Sequence, residues 1–562
     1  MSGLSNAEIA QVLDRYGRLL EIAGESGFRT RAYQRAAEAV RHYPEGVATL
    51  AQSGALRQIE GVGPGIASMI DELVRTGHLK ALHDLERQVP PSLLELTEVP
   101  GLGAKSVARL HVELGIVDLA GLEATAQAGT IRSLPGFTEK SEARILAGIA
   151  SLQRRTGRYR LGSVLPVGRR LVAELGDRLP ANSSVSLAGS VRRMEETVAG
   201  LDLVVGTDHP DQAIAVIDAL SSVATREDRE GEVIRYLLHD GISLTAFVVP
   251  NARFGSELVR ATGNAEHLAK LGEVAATGSE EEVYGRLGLP VVPAELRQGL
   301  DEFDLARRGL IDALVKVEDV RGEFHCHTVW SDGALSVDQT ARAAHDHGYE
   351  FLGISDHTRS LGVANGLDVA RLRAQRREID EANRRSGIRV FASAEVEVSR
   401  DGRLDFDNPT LASLDVVIAS THVGLRQPRE TLTERLLGVL DNRHVDVIAH
   451  PSGRLLEQRE GGDFDWDRVF ATAARTGTAL EINADPARLD LSASNARQAI
   501  AAGCLLTVNC DAHHPEAWAL LEYGIANARK AGARPENILN CWPLEKIESW
   551  LRDRDRGDGA DR

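Results

Sequence analysis

Seven short β-like runs between residues 319 and 550 each end in side chains able to hold a cation or move a proton. They are GEFHCHTVWSDG (His325, His327), FLGISDHT (Asp356, His357), VFASAEVEV (Glu395), DVVIASTH (His422), DVIAHP (His450), ALEINAD (Glu481, Asn483) and LLTVNCDAHH (Asp511, His513). Imidazole mixed with carboxylate suits Mn²⁺, Zn²⁺ or Fe²⁺ better than Mg²⁺ alone, although Mg²⁺ remains possible. Grouped cations lower the pKa of water and stabilise charge on a phosphoryl group. The predicted reaction is therefore hydrolysis of a phosphoester, with no nucleophilic Ser or Cys required. His325 and His327 stand i, i+2, so on a strand both point one way and Cys326 the other. Asp511 and His513 bear the same relation, which leaves His514 aside. A lone HxH is as readily a packed pair; its recurrence among seven loaded run ends points to metal.

The first loaded residue of each run follows its predecessor by 31, 39, 27, 28, 31 and 30 residues. That is the length of one strand, one helix and two loops, and intervening segments such as 367–387 have helical periodicity. Repeated βα units with polar strand ends describe a barrel whose site lies on one face, here with seven strands. The fold class expected for the whole chain is multidomain α and α/β, with N-terminal helical domains, a mixed α/β middle and a C-terminal (β/α)7 barrel.

The first 155 residues repeat an apolar residue, a Gly-rich turn and a helical pattern: IEGVGPGIASMIDEL (59–73), VPGLGAKSVARLHVEL (99–114) and LPGFTEKSEARILAGI (134–149). Gly61/Gly63 and Gly101/Gly103 allow the positive φ of a tight hairpin. The helix that follows opens with unpaired N–H groups and a positive dipole end, where a phosphate can sit beside Lys105. The third copy has Thr138 at the second glycine position and is weaker. The pattern resembles helix-hairpin-helix motifs, which grip DNA backbone.

Residues 156–318 carry β-like runs at 184–191, 201–207, 233–238 and 242–249, with Gly189-Ser190, Arg192-Arg193 and Asp202 on a strand–turn–strand pattern. This resembles the palm of family X DNA polymerases, in which Gly-Ser holds a triphosphate and three carboxylates bind two metal ions. Gly189, Ser190, Arg193 and Asp202 are read as a vestigial nucleotide site. The first carboxylate position is Gly200 and the third is Thr245, and one carboxylate cannot organise two divalent ions. Asp202 is expected as a solvated strand-end residue. The family's lyase nucleophile aligns with Met69, its phosphate-binding lysine with Gly65, and no lysine precedes Lys80, so a lysine-based lyase is not expected.

The C-terminal third resembles a PHP (polymerase and histidinol phosphatase) domain. The resemblance implies three ions held by His325, His327, Asp332, His357, Glu395, His422, His450, Asp511 and His513, with Glu395, Asp511, His327 and His357 closest to the chemistry. It further implies that Glu395 bridges two ions and that His422, His450 and His513 surround the third. Glu397 and Asp356 are read as supporting or solvated residues, and Glu481 and Asn483 as lining the mouth. In order, the chain resembles a bacterial family X polymerase: 1–85 a small lyase-like domain, 86–155 helix-hairpin-helix fingers, 156–250 palm, 251–318 thumb-like region, 319–550 PHP domain and 551–562 a disordered tail.

Composition bounds these readings. The chain has 562 residues, 43% hydrophobic and 26% charged, and 65 basic against 82 acidic residues give −17. By count, residues 1–160 carry about +1 while the remainder is acidic, which argues against gross adhesion to nucleic acid but allows a local phosphate surface. No apolar run approaches the roughly 20 residues that span a bilayer, and no signal-peptide pattern opens the chain, so a cytoplasmic location without membrane contact is expected. Cys326, Cys504, Cys510 and Cys541 form no CxxC pair, and no disulfide partner is expected. The leading reading is a DNA repair protein with a metal-dependent 3′–5′ exonuclease, abasic-site nuclease or 3′-phosphatase acting on DNA ends, gaps or abasic sites. A gap-filling polymerase, a non-catalytic DNA-end binder and a small-molecule phosphatase stand as alternatives.

Overall fold

The computed structural model describes residues 6–25, 27–41, 43, 47–59, 61–97, 99, 102–155, 157–239 and 241–555, in two compact units, 1–156 and 157–562. The first unit is helical and has two cores. Helices Asn6–Ile22, Gly27–Arg41, Val47–Ser53 and Pro64–Thr76 enclose Ile9, Leu13, Val40 and Ile70. Helices Leu93–Thr97, Ala104–Leu114, Leu119–Gln127 and Glu139–Arg155 pack around Leu96, Val107, Leu122 and Ile145.

In the first hairpin only the leading glycine uses left-handed backbone: Gly61 has φ +80°, whereas Gly63 is extended at φ −76°. Gly63 and Gly103 are instead the N-cap residues of helices Pro64–Thr76 and Ala104–Leu114. They supply no side-chain cap, so the first N–H groups stay open. Lys105 stands exposed in the first turn of the second of these helices. In the third copy the Thr138 hydroxyl accepts from Ser141 N at 3.2 Å, which consumes a donor that a phosphate would need. Gly101 lies outside the described residues.

The second unit begins with β1 (Tyr159–Arg160), paired antiparallel with β3 (Thr197–Val198). A five-stranded mixed sheet follows, in the order β2 (Ser184–Ala188), β4 (Leu201–Gly206), β7 (Ser243–Val249), β6 (Val233–Leu238), β5 (Val223–Glu230). Nearly all residues of β5 are exposed, so it carries no apolar alternation and was not among the expected strands.

Seven parallel strands then form the barrel in chain order: β8 (Gly322–Cys326), β9 (Phe351–Ile354), β10 (Arg389–Glu397), β11 (Val416–Ser420), β12 (Val447–Ile448), β13 (Ala479–Asn483) and β14 (Leu506–Asn509). Closure comes from His327 N donating to Ala512 O at 2.9 Å and Ala512 N donating to His325 O at 3.1 Å. Phe324, Phe351, Phe391, Ile418 and Val447 fill one end with Leu539, Trp542 and Ile547 from the C-terminal segment. Of the tail expected at 551–562, residues 551–555 belong to the last helix, Leu544–Asp555, and 556–562 lie outside the described residues. Among the described residues no helix is long and apolar enough to cross a membrane.

Palm-like and thumb-like regions are joined by Glu280, whose carboxylate accepts from Arg192 (2.8 and 2.8 Å) and Arg297 (2.6 Å). Burial pushes this carboxyl up, but the hydrogen bonds from both guanidiniums outweigh it and hold it at about 2. A depressed folded pKa adds stability above the unfolded value and loses it as pH falls toward the folded one, here from about 4.5 to about 2. Glu280→Gln should cost about 3 kcal/mol at pH 7. The gap in thermal midpoint from wild type should stay constant down to about pH 5 and narrow below it. A gap independent of pH would show that the carboxylate charge contributes nothing.

Candidate metal centre

The carboxyl ends of the barrel strands bring nine of the expected side chains into one pocket, in three groups, two of which share His327. The groups are His327, Asp332, His357 and His513; His325, His327 and Asp511; and Glu395, His422 and His450. Within each group the donor atoms lie within 4.8 Å of one another. Glu395 faces two groups at once. Its Oε1 is 3.1 Å from His450 Nε2 and 3.6 Å from His422 Nε2, while its Oε2 is 2.6 Å from His357 Nδ1 and 3.5 Å from His325 Nε2. Asp511 Oδ1 lies 3.0 Å from His327 Nε2 and 3.4 Å from His325 Nε2.

Three details differ from expectation. His513 does not join His422 and His450; its ring stacks on His327 with centroids 4.2 Å apart, and its Nε2 is 3.3 Å from Asp332 Oδ1. Asp511 and His513 are not on a strand, because β14 stops at Asn509 and Asp511 takes φ +54°. Glu481 and Asn483 do not line the mouth; both are fully buried. Cys326 packs in the outer core against the helices. His514 is exposed and accepts from Glu516 N at 3.3 Å.

The buried acids orient the imidazoles. Glu481 accepts from His325 Nδ1 (2.8 Å), His450 N (2.7 Å) and Asn509 Nδ2 (2.9 Å). Glu397 accepts from His422 Nδ1 at 2.7 Å, and Asn483 Nδ2 donates to Asp511 Oδ2 at 3.2 Å. Asp356 is buried and accepts from Thr328 N (2.8 Å) and Ser331 Oγ (2.5 Å), which fixes the loop that carries Asp332. Such partners set which ring nitrogen faces a cation.

The residues fit a group of divalent ions. His325 Nε2, His327 Nδ1 and His450 Nδ1 are buried without a hydrogen-bond partner, a cost on the order of 1–3 kcal/mol each that a cation can remove for the atoms it reaches. Burial pushes the Glu395 carboxyl up, but the imidazoles of His422, His325 and His357 hold it well below the ordinary range. Against its own burial, His357 is pushed up to about 10, chiefly by Glu395 and Asp332. Carboxylates that stay ionised while buried call for positive charge in the same pocket.

Sequence reasoning missed Arg488, in the loop after β13. Its Nε is 3.9 Å from Asp511 Oδ2, and its Nη1 is buried without a partner. The available signal was its place seven residues beyond Glu481, in a loop that follows a loaded strand end.

The palm-like sheet presents a different picture. Asp202 pairs across the sheet with Ala188 and Thr245, neither of them acidic. It is not solvated: it is half-buried, and a Cβ on Gly189 (φ +62°) would fall 1.9 Å from its Oδ2. Burial raises its carboxyl pKa and Arg193 opposes the rise. Arg193 donates to Thr262 O at 2.7 Å, and Ser190 is half-buried beside Gly189. A Cβ at Gly200 would sit 2.5 Å from Ser243 O, so the backbone leaves no room for a carboxylate there.

Comparison with known proteins agrees with this division. A helix-hairpin-helix domain model matches residues 4–79, and a SAM-like helix-hairpin-helix tandem matches 53–115 and 93–151. The DNA polymerase/3′-5′ exonuclease PolX of Bacillus subtilis (strain 168) is 32% identical over 98% of this chain and 99% of its own length. The chain belongs to the bacterial PolX family. Its C-terminal, PHP-like region is also similar to probable phosphatases. One from Thermoanaerobacter sp. (strain X514) is 25% identical over 42% of this chain and 97% of its own length, and one from Shewanella sediminis is 28% identical over 41% and 94%. Within this PolX chain the phosphatase-like part holds the gathered His, Asp and Glu groups, and the helix-hairpin-helix part holds the open helix N-termini.

Glu481→Gln should weaken Mn²⁺ binding to chelator-stripped protein by about 10–100-fold, because His325 and His450 lose their orienting acceptor. Calorimetric titration reads this directly, and an unchanged affinity would remove Glu481 from the site.

Proposed function

We propose that the barrel hydrolyses phosphoester bonds at DNA 3′ ends with up to three divalent ions, Mn²⁺, Zn²⁺ or Fe²⁺ with Mg²⁺ also admissible, while the palm no longer adds nucleotides. The observation that carries this reading is the convergence of His325, His327, Asp332, His357, Glu395, His422, His450, Asp511 and His513 from all but one of the barrel's strand ends. Bound there, divalent ions would supply hydroxide near neutral pH and stabilise charge on the phosphoryl group. The chain's own groups do the positioning. Glu395 holds its two oxygens toward separate groups, Glu481 and Glu397 fix the imidazoles, and Arg488 offers an open Nη1 donor beside Asp511.

Loss of polymerisation rests on the absence of a carboxylate partner for Asp202 and on the closed space at Gly200. DNA as substrate is supported by the helix-hairpin-helix matches and by the PolX relative, with the uncapped helices behind Gly63 and Gly103 as phosphate sites. A second activity at the same pocket, removal of a 3′-phosphate, is favoured by the probable phosphatases that match the barrel alone.

On a 3′-recessed primer with Mn²⁺, purified protein should shorten the primer stepwise and, given deoxynucleoside triphosphates, should not extend it. Asp511→Asn should slow shortening by at least about 100-fold. Shortening that survives chelation would overturn the metal reading, and extension that Asp202→Asn abolishes would overturn the reading of the palm.

A further inference from the structure

Beside His422, and outside the three groups, lies a cavity of about 420 Å³ whose walls include Arg400, Arg426, Gln427 and Arg459 and contain no acidic residue. Among the described residues none of these arginines has a carboxylate within ion-pair distance, whereas Arg376, Arg389, Arg468 and Arg497 of the same barrel each do. In a chain of net charge −17, three unpaired guanidiniums around one cavity form a local exception.

The cavity is built rather than incidental. Arg435, itself buried, donates to Val423 O at 2.8 Å and to Gln427 Oε1 at 3.2 Å, and Gln427 Nε2 donates to Arg400 O at 3.0 Å. Gly424, at φ +74°, turns the chain between them. Arg459 is half-buried and spends Nε (3.0 Å) and Nη2 (2.7 Å) on Gly453 O, leaving Nη1 uncommitted. His422 is at once a wall of this cavity and a donor of the Glu395 group, so cavity and metal centre share an edge.

We propose that this basic cavity holds a phosphate of the nucleic-acid strand other than the one attacked at the metal centre. Planar guanidiniums match phosphate oxygens in pairs. A phosphate held there offsets repulsion between a polyanion and the acidic barrel, and makes a polynucleotide a better substrate than an ester with one phosphate. The inference rests on the reading of the barrel as a hydrolase of DNA ends.

The test compares oligothymidylate, which carries many phosphates, with bis(p-nitrophenyl) phosphate, which carries one, on Mn²⁺-loaded full-length protein. In the exposed pair Arg400→Gln/Arg426→Gln, the ratio of kcat/KM for oligothymidylate to that for the small diester should fall at least tenfold. A parallel measurement in an Asp511→Asn background follows oligothymidylate binding against salt. There the slope of log affinity on log salt should become shallower by about 0.7, the share of the one strand phosphate lost. An unchanged ratio, with both substrates hit equally or neither affected, overturns the proposal, as does an unchanged salt slope. If wild type hydrolyses neither substrate, the hydrolase reading fails, and the salt slope still decides whether the cavity holds a strand phosphate.

Discussion

Everything at the candidate metal centre depends on how the barrel closes. The end of the first strand and the segment that follows the last meet through backbone hydrogen bonds between Ala512 and the two residues His325 and His327. Those three positions lie among the donors themselves, so closing the sheet and assembling the site are one event. Because parallel strands present their carboxyl ends on one face, each strand delivers its terminal side chains to the same rim. Glu395 reaches the middle of that rim, fully buried, and its two oxygens link groups that would otherwise be separate.

The palm-like sheet remains bonded to this barrel. Glu196 pairs with Arg454 at 3.0 and 2.5 Å, in the loop that follows His450, and Arg169 pairs with Glu522 at 2.7 and 2.6 Å. Lys530, nearly buried, donates to Met194 O at 2.6 Å. Leu489, the neighbour of Arg488, and Tyr523 are buried within the palm's own hydrophobic core. The palm-like sheet therefore braces two loops of the candidate metal centre. Packing constrains its shape whatever its chemistry.

Three of the four palm strands expected from the sequence match their observed counterparts within one residue. The fourth, expected at 184–191, turns helical after Ala188 because Gly189 takes left-handed backbone. The barrel strands were legible because each is an apolar run ending in a polar residue, repeated at the length of a βα unit. β5 was not, since an exposed charged strand has no alternation to detect. The glycine hairpins were legible as motifs, but the division of labour within them was not: Gly61 turns the chain, while Gly63 leaves the helix end open.

By itself the sequence determined the architecture and singled out the side chains that meet at the rim, because strand length, helix period and residue chemistry are local properties written along the chain. Tertiary structure decided the grouping. That His513 stands with Asp332 and not with His422 follows from where the loop after β14 crosses the rim, with Asp511 held in left-handed backbone. The same holds for Arg488 and for the unpaired arginines beside His422. Their meaning lies in which carboxylates are near and which are not, and that depends on distances across the barrel between residues far apart in the chain.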